Sequence, residues 1–213
     1  MTKLLILETS ARQSSISTSL AHDFADRLAS HDDRLEVIRR VLSSDQQPNL
    51  DEAMTTALRA GVETPTDAQQ AAISHSDTLI AELQTADMIV IAAPMHNFTI
   101  SAQMRTWLDY VTRPGKTFGY TEQGPQGLLA DKPVYIFSTR GGHYGDGSLD
   151  APNPYDFQTG YLRHILGFIG LKSVHIIAAN GMDMGEENKA KGLANAKAKT
   201  DTLIASYLSD KAA

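Results

Sequence analysis

The chain has 213 residues, no cysteine, and 25 acidic against 19 basic side chains, for a net charge of -6. The length suits one large α/β domain over residues 1–213 with a core that needs no cross-link, and the missing cysteines exclude disulfides, thiolate catalysis and cysteine-ligated metals, as expected of a cytoplasmic protein. The absence of basic runs argues against nucleic acid as a partner, no apolar run approaches membrane-spanning length, and "MTKLLILETSARQ" turns polar too soon for a signal peptide.

The first element is an apolar run, "KLLIL" (Lys3–Leu7), which reads as a buried parallel strand because it lacks polar alternation. Ser15–Ala29 follows as an amphipathic helix, and "LEVIRRV" (Leu35–Val41) is a weaker second strand. Thr66 and Gln69 stand at capping-box spacing and open a helix that carries Ile73, Ile80 and Leu83 on one face. "MIVIAA" (Met88–Ala93) is the third strand. Ser101 then caps a helix whose Met104, Trp107, Leu108 and Val111 fall at i, i+3, i+4 and i+7, and "RPG" (Arg113–Gly115) stops it. "PVYIFS" (Pro133–Ser138), the helix "YLRHILGFIG", the strand "KSVHIIAA" (Lys172–Ala179) and an Ala/Lys-rich helix over Glu186–Leu208 complete the chain.

Five strands alternating with helices predict an α/β fold with a parallel sheet, helices on both faces, and the flavodoxin-like order 2-1-3-4-5. Two connections, Arg113–Lys132 and Thr139–Gly160, are longer than plain linkers, and their aromatics and glycines favour ordered function. In such a sheet a ligand sits beyond the carboxyl ends of the strands, at the switch point between strands 1 and 3.

Three strand ends therefore matter. After strand 1, "ETSARQSSIST" (Glu8–Thr18) places four serines and two threonines at a helix start, without lysine. Free N–H groups, the helix dipole and hydroxyls make a phosphate cradle, and six hydroxyl residues exceed what one N-cap needs. Neither a Walker A motif nor G-x-G-x-x-G is present, so a monophosphate suits the loop better than ATP or a tightly held NAD. At strand 3, "APMHNF" (Ala93–Phe98) ends the pairing at Pro94, which has no N–H; Asn97 and Phe98 are left with free amides, and Met95 and Phe98 can wall a flat ring. At strand 4, "STRGGHYGDG" (Ser138–Gly147) offers close backbone approach at its paired glycines and a positive charge at Arg140. Phosphate, flat ring and amides together describe FMN. Peptide N–H groups and Arg140 would stabilise the negative charge that a flavin gains on accepting hydride.

The blocks "PMHNF", "TFGYTEQGPQGL", "RGGHYGDG" and "LGFIG" resemble, in type and order, the FMN-dependent NADH-azoreductase family of flavodoxin-like quinone reductases. The resemblance runs from the first strand into the last helix. It implies one tightly bound, non-covalent FMN per subunit, a homodimer with two sites at its interface, and ping-pong turnover. NADH, or NADPH, reduces the flavin, and quinones or azo compounds take the electrons. By motif match it places Ser10, Ser15, Ile16 and Ser17 at the phosphate. Pro94, Met95, His96, Asn97 and Phe98 would lie along the isoalloxazine, with Thr139, Arg140, Gly141 and Gly142 at its pyrimidine side. Phe118, Tyr120, His143 and Phe168 would shape the substrate pocket. His96 stands where the family commonly has tyrosine.

Seven histidines show no metal-ligand spacing, so no metal is expected. His22, His31, His75 and His164 read as solvent-exposed helix residues and His175 as a core residue, while His96 and His143 are candidate proton donors to a reduced quinone. The competing reading is a flavodoxin-like electron carrier without NAD(P)H activity. A hydrolase would need a G-x-S-x-G elbow, which is absent, and a phosphoacceptor domain an acidic cluster where only Glu8 stands.

Overall fold

The computed structural model of the chain describes residues 1–44, 47–148, 150 and 152–212. In chain order the elements are β1 (Thr2–Glu8), α1 (Ile16–Ala29), β2 (Leu35–Val41), α2 (Glu52–Arg59), α3 (Asp67–Thr85), β3 (Met88–Ala92), α4 (Ala102–Val111), β4 (Phe118–Thr121), β5 (Gly124–Gly127), β6 (Val134–Thr139), α5 (Phe157–Phe168), β7 (Val174–Ala179) and α6 (Glu186–Ala212). The main sheet is parallel, in the order β2-β1-β3-β6-β7. These are the five strands expected, in the expected order. The numbering differs because an antiparallel hairpin, β4–β5, lies within the long connection before β6.

Alternation along the central strands divides the core into two layers. Leu5, Leu7, Ile89, Ile91 and Ile136 face α3, α4 and α5. Leu4, Ile6, Val90, Tyr135 and Phe137 face α1 and α6. Both faces are covered, which is why these strands read as unbroken apolar runs. The chain moves outward from β1 through α1 on one face and returns through α3 on the other. The crossover direction therefore reverses between β1 and β3, and a crevice opens at their carboxyl ends.

The helix starts follow their caps. Ser15 accepts from the N–H of Thr18 at the head of α1. Thr66 and Gln69 form the full capping box of α3. Ser101 accepts from Met104 N–H and donates its hydroxyl to Thr9 O at 3.0 Å, which ties the head of α4 to the end of β1. Met104, Trp107, Leu108 and Val111 all lie in the core. At the opposite end of the sheet, Lys132 donates to the Leu83, Gln84 and Ala86 carbonyls that close α3, and burial pulls its pKa down.

Three elements are absent from the sequence reading: α2 and the two strands of the β4–β5 hairpin. The eight-residue α2 has a clear Asp51 cap but only two fully buried residues, Ala57 and Leu58, too few for a periodic signal. In β5, "GPQG" lacks strand formers altogether; it is held by pairing with β4 and turned at Gly124, with φ 110°. His175, expected in the core, is exposed and stacks on Tyr135. β7 is an edge strand of the sheet. Burial, with Arg163 and Lys199, lowers the imidazole pKa below its ordinary value.

Candidate functional site: a cleft at the carboxyl ends of four strands

The six hydroxyls after β1 have separate duties. Thr9 is buried and donates both its N–H and its hydroxyl to Ala92 O, which holds the loop against β3. Ser17 is buried, with its Oγ 3.0 Å from Ser15 Oγ. Ser10, Ser14 and Ser15 are left to face a cleft of about 290 Å³, together with Ile16 at the first position of α1. Among the described residues, no protein acceptor takes the N–H groups of Ile16 or Ser17. This is the geometry of an anion site at a helix N-terminus. Ser17, expected at the phosphate, turns its hydroxyl to Ser15 and offers the cleft its amide. Glu8 is bound to His22 Nε2 at 2.8 Å, so His22 is a half-buried partner and not the solvent-exposed residue expected.

At β3 the pairing does not stop at Pro94 as expected. Ala93 N–H donates to Phe137 O and Met95 N–H to Thr139 O, so the proline interrupts the ladder for one residue only. His96 and Thr99 then exchange both backbone hydrogen bonds across a two-residue turn, with φ 46° at Asn97 and 70° at Phe98. Two positive φ values define a type I′ turn, which ordinarily carries glycine second. A phenylalanine there is strained by about 1–3 kcal/mol. Among the described residues no protein acceptor takes the Asn97 and Phe98 amides, and the turn sets the Phe98 ring, half-exposed, edge-on to Tyr144 at 6.0 Å between centroids. We expect Phe98→Gly to raise the Tm of the FMN-free chain by about 2–4 °C, the return of about 1 kcal/mol of strain, while weakening FMN binding through the lost ring wall. A calorimetric scan beside a flavin titration checks this. A fall in Tm would mean that the ring's packing outweighs the strain.

At β6, Arg140 N–H donates to Ala179 O, and the carbonyls of Arg140, Gly141 and Gly142 accept from Met182, Asp183 and Gly181. Among the described residues the Gly141 and Gly142 N–H groups have no protein acceptor. The loop after β7 thus braces the glycine loop and adds a fourth strand end to the cleft. Met182, Asp183 and Lys189 line it, as does Arg12 from the first loop. Met182, Asp183 and Lys189 escape a reading confined to three strand ends, and their signal is the adjacency of β7 to β6; Arg12 stands inside the first loop, where only the hydroxyls were read as cleft groups.

Arg140 contradicts its expected role as a charge on the ligand. Its guanidinium is fully buried and all three of its nitrogens are engaged: Nε donates to Ser138 Oγ at 3.0 Å, Nη1 to the carbonyls of Tyr144 and Gly145 at 3.1 and 3.2 Å, and Nη2 to Thr159 Oγ1 at 2.8 Å, with Asp156 Oδ2 paired to Nη2 at 3.1 Å. Burial lowers the guanidinium pKa, and Asp156 opposes that shift. What Arg140 shows the cleft is backbone.

The expected residues fall into two groups. Ser10, Ser15, Ile16, Pro94, Met95, His96, Thr139, Arg140 and Gly141 meet at the cleft. Asn97, Phe98, Gly142 and His143 flank it on the same loops. The other expected pocket residues lie elsewhere. Phe118 is buried against Phe168, with Tyr120 edge-on to it, in the hairpin that packs on the end of α5. α5 starts near the cleft, but its twelve residues carry the chain about 18 Å toward the amino ends of the strands, where Val134 pairs with Val174. Within one chain, Tyr120 and Phe168 stand at the end of the sheet opposite the cleft.

A parallel sheet in this order, with an anion-binding loop after β1 and unpartnered amides after β3 and β6, defines a flavodoxin-type nucleotide-cofactor protein. Residues 2–204 match the family described as flavodoxin-like fold, and the chain belongs to that family. It is 42% identical over 198 residues to an FMN-dependent NADH:quinone oxidoreductase of Burkholderia lata, covering 92% of this chain and 97% of that one. Against a protein of the same description from Azotobacter vinelandii the identity is 42% over 200 residues, covering 93% and 98%. An azoreductase structure from Bacillus anthracis superposes with a TM-score of 0.83 at 25% identity, covering 96% of this chain and 99% of that one. A second B. anthracis structure, an FMN-dependent NADH-azoreductase in complex with FMN, shares the fold with a TM-score of 0.82 at 21% identity, covering 97% and 99%.

Proposed function

We propose that this chain is an FMN-dependent NADH:quinone oxidoreductase that reduces quinones by two electrons in a ping-pong cycle and also cleaves aromatic azo compounds to amines. The observation that carries the reading is one cleft lined by a hydroxyl-bearing helix N-terminus, by Met95 and His96 after β3 and by Gly141 after β6, with the unpartnered amides of Asn97, Phe98 and Gly142 on the flanking loops. The residues fit FMN. The Ser10–Ile16 loop suits its phosphate, Met95 and Phe98 the ring, and the Asn97, Phe98, Gly141 and Gly142 amides its polar edge.

FMN held there would supply the redox chemistry between NADH and the acceptor. The protein's part is to bind and orient. Neutral hydroxyls and amides at the head of α1 meet the phosphate with the dipole's positive end. The unpartnered amides of Asn97, Phe98, Gly141 and Gly142 would favour negative charge on a reduced flavin without reorganising. His96 and His143 are both exposed beside the cleft, and either can pass a proton to a reduced quinone.

The reading includes a cytoplasmic homodimer. Tyr120 is 77% exposed and Leu128 49% exposed, on a hairpin far from the chain's own cleft. A second copy docked so that this hairpin meets the partner's cleft would bring Tyr120 and Phe168 to the flavin. Among the described residues no helix is long and apolar enough to cross a membrane.

The visible spectrum of the FMN-reconstituted protein, recorded anaerobically before and after NADH, tests the function. The flavin band is expected to bleach with NADH and to return with benzoquinone. FMN uptake with no bleaching by NADH or NADPH would instead make the chain an electron carrier.

A further inference from the structure

We infer that Arg140 is a positioning residue: its buried guanidinium locks the two ligand-facing loops after β3 and β6 into one frame, by the planar spread of its donors and not by its charge alone. The inference rests on the function proposed above for its effect on FMN, but its structural half stands alone.

A guanidinium out of water persists only if its charge is paired and its donors are satisfied. Asp156 supplies the charge, and four neutral acceptors complete the set. Those partners come from three places. Tyr144 and Gly145 belong to the glycine loop. Asp156 and Thr159 form the head of α5, where Asp156 also caps the Gln158 and Thr159 amides. Ser138 lies inside β6, and its hydroxyl donates onward to Gln158 Oε1 at 2.5 Å. Gln158 Nε2 then donates to Ala93 O at 3.0 Å, at the base of the strained turn.

One buried network therefore runs from the glycine loop through Arg140, Ser138 and Gln158 to the end of β3. A second link runs over the surface. Tyr144, whose carbonyl Arg140 holds, sets its ring edge-on to Phe98. Among the described residues the loops that carry these four unpartnered amides share no backbone hydrogen bond beyond Met95 to Thr139, and Arg140 is the hub that joins them. The geometry also needs a planar fork. A lysine keeps the charge but has three donors on one atom, and cannot reach five acceptors spread around a plane.

The test compares Arg140→Lys and Asp156→Asn with the unmodified chain. Amide hydrogen exchange of the FMN-free protein is the first measurement and FMN titration the second. Both variants are expected to exchange at least about tenfold faster across residues 141–147 and 96–99, with β1 and α1 unchanged, and to bind FMN at least about tenfold more weakly. The flavin band of the complex should shift as well, which a loss of stability alone would not produce. Unmodified exchange and affinity in Arg140→Lys would show that charge suffices and overturn the inference. So would acceleration spread evenly over the whole sheet, which would make Arg140 a general core residue. If the unmodified chain itself took up no FMN, the function proposed above would fall, and the exchange pattern would still decide whether Arg140 locks the loops.

Discussion

Ser15→Asp is expected to leave the fold intact and to weaken FMN binding by about a hundredfold or more. Ser15 has two roles at the head of α1. It caps the helix by accepting from Thr18 N–H at 3.3 Å, and it faces the cleft where the phosphate is proposed to sit. Aspartate is as good an N-cap as serine, so the helix keeps its start. The new carboxylate nevertheless stands beside a phosphate. Two unit charges about 5 Å apart in an effective dielectric of about 20 repel by about 3 kcal/mol, roughly two decades of affinity, and a dianion adds to that. Ser15→Ala should do the reverse, with about 1 kcal/mol lost in stability and only a modest loss of affinity. Flavin titrations with matched thermal scans separate the two effects. If Ser15→Asp bound FMN as tightly as the parent, the phosphate would not be at the head of α1, and the cradle would be a helix cap only.

Gly170→Ala is expected to cost about 4 kcal/mol or more, the largest loss of stability we anticipate from adding one methyl group. Gly170 turns the chain out of α5 with φ +112°, a conformation that side chains rarely adopt. A Cβ there would overlap the carbonyl oxygen of Leu129, and one on Gly127 would overlap the amide of Gly170. The Leu129 amide is meanwhile bonded to Ile169 O at 3.0 Å. Both obstacles are backbone, so no side chain can swing aside. At about 2–4 °C per kcal/mol for a chain of this size, the Tm should fall by about 8–16 °C. Gly167 is the control. It lies inside α5 with open space around its Cα, so Gly167→Ala should be neutral or stabilising by up to about 1 kcal/mol. Equal scans for the two variants would mean that the β4–β5 hairpin is not seated on the α5 turn. That seating matters to the proposed function, because the same hairpin carries Tyr120.

The amino-acid sequence by itself determined most of the local elements and pointed to one crevice for the candidate site. β1, β3 and β6 were legible because a strand covered on both faces must be apolar throughout. α1, α3 and α4 were legible because Ser15, Thr66 and Ser101 answer the free amides of a helix start, whatever lies beyond it. The site followed from topology, since a parallel sheet with one reversal has one crevice, and the residues at its strand ends can be counted off. The tertiary structure alone decided how those residues use their polar groups. Arg140 and Lys132 are both basic residues next to β6; one is buried among five acceptors and the other closes α3. Ser17 and Ser15 are two residues apart, yet only Ser15 faces the cleft. Tyr120 and Phe168 fell at the wrong end of the chain's own sheet because the direction of α5 and the seating of the hairpin are non-local facts. Secondary structure answers to neighbours along the chain, whereas the partner of a buried donor is whatever the fold brings within 3 Å of it.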